Sequence, residues 1–291
     1  MVKKYGDLYL EACRALSTRE DRQTAGFLAK NLLCSASGLP YEIILAKRDM
    51  YASEKICEAM EASVSRVLTG EPLAYVLGEW DFYGMTLEVN HSVLIPRDDT
   101  CAVTETAIKQ ARLMGAAPRI LDLCTGSGCI GLAIAKHIKD AKMTLADISR
   151  EALAVAKNNV KRQKLTGRVA CVVANALDVP PAYIGKFDMI VSNPPYITTG
   201  EMEELDHSVK DFEPHLALHG GDDGLVFYRS IAEKYGAALK PGGYLCFEFG
   251  LDQGDAVCRI LEQNQYDVLD RVKDYNNRER AVLAQNCRKE D

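Results

Sequence analysis

The sequence predicts an α/β protein: a mostly parallel sheet of seven strands with helices on both faces, preceded by a small helical bundle that a β-hairpin joins to it. Three observations carry this. Past Pro118, short apolar runs alternate with amphipathic stretches, the pattern of strands buried on both faces between crossover helices. From Tyr5 to about Gly70, apolar residues recur every three to four positions, which is helical spacing. Between these regions, from Leu73 to Leu94, apolar and polar residues alternate around Gly78 and Gly84, as in a hairpin.

In the first region the apolar positions are Leu8, Cys13 and Leu16, then Ala25, Leu28 and Leu32, then Ile43 and Ile44, then Ile56, Met60, Val64 and Leu68. Breaks with cap or turn chemistry fall at Ser17-Thr18, Ser37-Gly38-Leu39-Pro40 and Thr69-Gly70-Glu71-Pro72. Residues 1–72 therefore read as a bundle of short helices with balanced charge and no basic stripe. Such a bundle serves as a stabilising cap or as a docking module for a macromolecular substrate. The second is favoured, since a small-molecule enzyme has little use for it.

Residues 73–94 read as the hairpin linker, with Tyr75-Val76-Leu77 and Trp80 to Val89 as its strand-like runs. Asp98-Asp99-Thr100 then supplies N-cap residues for a helix carrying Val103, Ala107, Ile108 and Ala111. Within 95–291 the expected strands are 119–123, 143–146, 169–173, 187–191, 244–249, 266–269 and 281–283, and the main intervening helices 130–138, 150–161, 225–239 and 253–263.

The 291-residue length suits about two domains, and the 47% hydrophobic and 26% charged content is ordinary for a globular protein. A net charge of −6 and a pI near 5.5 argue against a chain built to grip phosphates and against stable nucleic-acid binding. No apolar core of signal-peptide length follows Met1 and no run of about 18 apolar residues occurs, so the expected location is the cytoplasm, with no membrane partner. The ten cysteines are scattered, many in apolar stretches, and read as reduced thiols. The five histidines do not pair with them at zinc-ligand spacing, so no metal is expected.

Ligands of such sheets bind beyond the carboxyl ends of the strands, near the switch in strand order, and four strand ends here carry notable residues. The first runs Asp122-Leu123-Cys124-Thr125-Gly126-Ser127-Gly128 into a helix; its glycines let the backbone approach a ligand and the helix start offers N–H groups to an anion. The second ends at Asp147, an acceptor for a ribose diol, and the third at Asn175-Ala176, within reach of an adenine. The fourth is Asn193-Pro194-Pro195-Tyr196. Neither proline has an N–H, so this turn offers carbonyl acceptors without competing donors, and Asn193 adds another. Two acceptors an amide's width apart suit a planar –NH2 group, with the Tyr196 ring against its plane.

The glycine pattern with Asp147 also fits a dinucleotide fingerprint, but an NAD(P) enzyme leaves the Asn-Pro-Pro-Tyr turn without a role. S-adenosylmethionine accounts for the set, with its carboxylate at the glycine loop, its ribose at Asp147 and its methyl sulfonium towards the turn.

Together, Asp-x-x-Thr-Gly-Ser-Gly, the acidic second strand end and Asn-Pro-Pro-Tyr resemble the class I, Rossmann-like methyltransferases that modify planar nitrogens. Gly78-Glu79-Trp80-Asp81-Phe82-Tyr83-Gly84, Leu94-Ile95-Pro96-Arg97, Phe212-Glu213-Pro214 and Arg271-Val272-Lys273-Asp274-Tyr275 with Glu279-Arg280 resemble the release factor glutamine methyltransferases of the HemK/PrmC type. The resemblance implies class I peptide chain release factors as the partner and the glutamine of their Gly-Gly-Gln loop as the methyl acceptor. It assigns Cys124, Thr125, Gly126, Ser127, Gly128, Asp147, Asn175, Ala176 and Asn193 to the cofactor, Asn193 through Tyr196 (with Pro194 and Pro195) to the glutamine, and Asn193, Pro194 and Tyr196 to catalysis. A nucleic-acid amino-methyltransferase, acting on an exocyclic base amine, is the alternative. Three departures stand out. Cys124 replaces a usual glycine, which asks that this position not need positive φ. Asp98-Asp99-Thr100-Cys101 replaces a usual Pro-Asp-Thr-Glu. Asn175 replaces a usual aspartate, keeping an acceptor without the charge.

Overall fold

The structure is a computed structural model describing residues 2–288. Its backbone contacts divide it into two compact units, one of residues up to Gly78 together with His207–Phe212, the other of Glu79–Asp206 and the chain from Glu213 onward. Among the described residues no helix is long and apolar enough to cross a membrane.

The first unit contains α1 (Tyr5–Leu16), α2 (Arg22–Ser37), α3 (Tyr41–Ala46), α4 (Glu54–Leu68) and α5 (Leu73–Leu77). Asp21 caps α2 by accepting from the Gln23 and Thr24 N–H groups, Ser53 caps α4 from Ile56, and Gly38 ends α2 at φ 67°. Leu8, Leu16, Leu28, Leu32, Ile44 and Met60 fill its core. The strand expected at Tyr75-Val76-Leu77 is instead the single turn of α5. Pro72 precedes it, Gly78 at φ 76° closes it, and the Arg66 guanidinium reaches the Tyr75 carbonyl at 3.1 Å while paired with buried Glu71. A three-residue apolar run carries no period, so its caps and long-range partner decide its state.

The hairpin is β1 (Glu79–Phe82) and β2 (Met85–Glu88) in the second unit. Phe82 pairs with Met85, and the two loop residues Tyr83 (φ 48°) and Gly84 (φ 71°) are both left-handed, as a type I′ turn requires. After a 3-10 turn at Asp98–Thr100 come α6 (Cys101–Leu113), β3 (Arg119–Leu123), α7 (Cys129–His137), β4 (Lys142–Asp147), α8 (Arg150–Arg162), β5 (Val169–Val173) and β6 (Phe187–Ser192). Then follow α9 (Thr199–Glu204), α10 (His207–Lys210), which counts with the first unit, α11 (Val226–Lys234), β7 (Leu239–Glu248), α12 (Gly254–Gln263), β8 (Tyr266–Lys273) and β9 (Glu279–Asn286).

The seven-stranded sheet has the order β5-β4-β3-β6-β7-β9-β8, parallel from β5 to β7, with β9 antiparallel to both neighbours. Alternate residues feed opposite faces. Ile120, Met189 and Cys246 pack with α6 and α7, whereas Leu121, Ile190 and Phe247 pack with α11 and α12. The helix expected over 225–239 stops at Lys234 and tightens into a 3-10 turn, and β7 begins at Leu239 rather than Tyr244. Its pairing with β6 jumps from Phe187↔Leu239 to Met189↔Tyr244, so Pro241-Gly242-Gly243 bulge out where a continuous ladder was impossible for a proline. Successive strands run outward from β3 to β5, then restart at β6 on the other side of β3. The carboxyl ends of β3 and β6 therefore meet at the switch in strand order, where ligands bind in open α/β sheets.

Candidate active site

A cavity opens at that switch. Its wall includes Cys124, Thr125, Gly126, Ser127, Asp147, Asn175, Ala176, Asn193 and Pro195. The four strand ends singled out in the sequence thus converge on one place. Gly128, Pro194 and Tyr196 lie beside this wall rather than in it.

The glycine loop is shaped from below. Asp122, fully buried, accepts from the Thr125 hydroxyl at 2.6 Å and from the Gly131 N–H at 2.9 Å through one oxygen, while its other oxygen has no protein partner. Burial pushes this carboxyl up to about 7. Gly126 (φ 53°) and Gly128 (φ 85°) take left-handed conformations. A Cβ on Gly126 would meet no heavy atom within 4 Å, so its backbone faces open space, whereas one on Gly128 would press on Leu145 at 3.1 Å. Gly128 therefore serves the turn and Gly126 the cavity. Cys124 also sits at φ 60°. The expectation that this position would not need positive φ is wrong: the loop keeps the left-handed bend, and a residue with a Cβ bears a strain of about 1–2 kcal/mol to hold it.

Asp147, at the end of β4, accepts from the Gly126 N–H at 2.9 Å with one oxygen and from the Ser149 N–H at 3.0 Å with the other. It thus ties the second strand end to the first, and burial raises its pKa against these hydrogen bonds. The Asn175 side chain turns back into its own loop, its Oδ1 accepting from Leu177 N–H at 3.0 Å and its Nδ2 donating to Asp178 at 2.9 Å. The carbonyls of Asn175 and Ala176 accept from Tyr235 and Ser230 hydroxyls, each at 2.9 Å.

Asn193 follows β6, and its Nδ2 points to Thr100 Oγ1 at 3.4 Å. The Tyr196 carbonyl accepts from Gln253 at 2.9 Å, which fixes the turn's exit, and burial raises the Tyr196 phenol. A Cβ on Gly220 would meet Tyr196 Cα at 2.7 Å, so the segment at Gly220 lies hard against the turn.

Several wall and support residues had no assigned role in the sequence. Pro96, Arg97 and Thr100 line the cavity, as do Phe227, Leu216 and Ile148 on its apolar side. Glu213, 4% exposed, accepts from the Ile95 N–H at 3.2 Å and pairs with Arg97. The Phe-Glu-Pro motif thereby gains a physical role, since its carboxylate fastens the Ile-Pro-Arg run that forms one wall. Asn159, fully buried on α8, donates to the carbonyls of Ser127 and Glu88, each at 2.9 Å, and accepts from the Glu88 N–H at 2.7 Å. It joins the hairpin to the glycine loop. His137 packs edge-on to Tyr83, centroids 5.1 Å apart, and bonds to the Ala133 carbonyl, a structural part.

Residues 104–220 match the family of methyltransferase small domains, and residues 7–78 match the PrmC N-terminal domain. A methyltransferase from Pyrococcus furiosus superposes with a TM-score of 0.53 at 19% identity, covering 76% of this chain and 96% of that one; the likeness is one of fold. Fold, cavity and domain matches define the protein as a methyltransferase. Among its relatives, a release factor glutamine methyltransferase of Clostridium acetobutylicum is 40% identical over 213 residues, 73% of this chain and 74% of the relative. Another, from Agrobacterium fabrum, is 34% identical over 285 residues, 95% of this chain and 97% of the relative. The chain belongs to the release factor glutamine methyltransferase family.

Proposed function

We propose that this protein transfers a methyl group from S-adenosylmethionine to the side-chain amide nitrogen of the glutamine in the Gly-Gly-Gln loop of class I release factors. One observation carries the reading. Asn193 faces the cavity bounded by the glycine loop with its Nδ2 engaged by Thr100, which leaves Oδ1 to accept from a planar –NH2 group.

The residues present fit the cofactor. The open backbone at Gly126 and the buried Ser127 hydroxyl, which lacks a protein partner, suit an amino-acid moiety. Asp147 retains lone pairs for a ribose diol, and Ile148, Leu177 and Phe227 offer apolar surface to a flat base. When bound, S-adenosylmethionine supplies an electrophilic methyl on a positively charged sulfur.

An amide nitrogen is a poor nucleophile, because its lone pair is delocalised into the carbonyl. Asn193 Oδ1 and the Pro194 carbonyl would each accept one of its N–H groups, orienting it and stabilising the positive charge that develops as the methyl arrives. Pro194 and Pro195 are buried and have no N–H to compete. The proton released from nitrogen passes to solvent or to a carbonyl, so no strong base is required. The helical N-terminal unit is the docking module for the protein substrate.

Asn193→Ala is expected to lower turnover on release factor by about 10²-fold or more, the scale for one lost preorganised contact, with cofactor affinity little changed. Turnover near that of the parent would sink this role.

A further inference from the structure

Around Asn193 the cavity wall is poor in hydrogen-bond donors. Pro96, Pro195 and Pro214 line it, and a proline offers a carbonyl without an N–H. Arg97 is the exception. It is the one cation in the wall, whose other charged member is Asp147. Arg97 begins the 3-10 turn at Asp98–Thr100, its carbonyl accepts from the Thr100 N–H at 3.1 Å, and the Thr100 hydroxyl meets Asn193 Nδ2 at 3.4 Å. The Arg97 side chain keeps 41% exposure, whereas that of its partner Glu213 keeps 1%. Among the described residues Glu213 is the guanidinium's one hydrogen-bond partner, reached through Nη2, and the Ile95 N–H holds Glu213 in turn at 3.2 Å. A guanidinium is a rigid fork of several N–H donors with no acceptor, so most of these donors remain available at the wall.

A methyl acceptor carried on a peptide brings more than its –NH2 group. Where glycines flank the glutamine, the rest of the loop has no side chains and can be read only through its main chain. Prolyl carbonyls suit its N–H groups. A main-chain carbonyl drawn into the cavity gives up water and needs a donor in exchange. We propose that Arg97, held by Glu213, is a specificity-determining residue that donates to a main-chain carbonyl of the glycine-rich loop carrying the methyl-accepting glutamine. The inference rests on the proposed acceptor and adds a group that reads the peptide around it. The carboxylate of the cofactor is the other acceptor that could use this cation, and cofactor affinity separates the two.

Arg97→Met alone leaves Glu213 buried without its counter-charge. The informative variant is therefore double, Arg97→Met with Glu213→Gln, in which the glutamine can still accept from the Ile95 N–H. It is expected to raise KM for a class I release factor on the order of tenfold, the effect of one lost hydrogen bond to a charged group, with kcat and the calorimetric Kd for S-adenosylmethionine within about twofold of the parent. Glu213→Gln alone keeps the guanidinium and is expected to raise KM less than the double variant does. Arg97→Lys keeps the charge beside Glu213 without the fork and is expected to raise KM about threefold, which tests the role even if the double variant fails to fold. Unchanged KM in whichever Arg97 variants fold, or equal losses in Glu213→Gln and the double variant, would overturn the inference. So would a cofactor Kd weakened as much as KM, which would give the guanidinium to the cofactor carboxylate. The parent protein, assayed alongside, keeps the two readings apart. If it methylates release factor and the variants match it, only the role of Arg97 is wrong; if it leaves release factor unmodified, the proposed function is wrong and the inference falls with it.

Discussion

At the scale of single residues, the site is built from carboxylates and amides that hold backbone rather than ligand. Asp147 was legible as the acidic end of a strand, yet its two oxygens already accept from Gly126 and Ser149. Its substitution therefore loosens the glycine loop and, on the proposed reading, removes a ribose partner as well. Asp147→Ala is expected to weaken S-adenosylmethionine binding by about 1.5–3 kcal/mol, the range for hydrogen bonds to a charged group; titration calorimetry showing unchanged affinity would contradict the assignment. Local motifs made the loop, Asp147 and the Asn-Pro-Pro-Tyr turn readable because each is a short run with its own chemistry. Glu213 was not readable in this way. Its partners Ile95 and Arg97 lie more than a hundred positions away, and no local pattern announces a buried carboxylate that fastens a distant loop. Cys124 misled for a related reason: a side chain suggests ordinary φ, but the loop's closure through Asp122 and Asp147 imposes φ 60° regardless.

At the scale of elements, periodicity located the parallel strands closely because strands buried on both faces are nearly continuous apolar runs. Edges and short pieces were harder. β8 and β9 are longer than their apolar cores, since their exposed residues pair as well as their buried ones, and α5 was hidden by its length. The hairpin was legible from Gly84, but its attachment was not. Asn159 makes that attachment from the middle of α8, bridging Glu88 to the Ser127 carbonyl, and in sequence it is an unremarked polar residue in a helix. Asn159→Ala strands the buried Ser127 carbonyl and the half-buried Glu88 N–H and carbonyl and is expected to cost about 2–3 kcal/mol. Denaturant unfolding that shows less than about 0.5 kcal/mol would mean that the hairpin is held otherwise.

At the scale of the molecule, the acidic balance of the chain coexists with two buried carboxyls at its centre. Burial raises Asp122 to about 7 and Glu248 to about 8, against the hydrogen bonds each accepts and, for Glu248, the charge of Arg280. Above the ordinary carboxylate range near pH 4, the folded chain thus holds protons that the unfolded chain has released. Their contribution to stability is complete below about pH 4 and is lost as pH rises through 7 and 8. The melting temperature is expected to fall between pH 6 and pH 9, and Glu248→Gln to flatten that fall; a melting temperature that rises over this interval would contradict the burial argument. The central claim concerns the acceptor, a planar –NH2 group that belongs to a protein. The direct measurement incubates the protein with labelled S-adenosylmethionine and either a class I release factor or RNA and DNA, then locates the methyl by mass spectrometry. The account predicts label on the glutamine of the Gly-Gly-Gln loop; label on nucleic acid, and none on that glutamine, would contradict it.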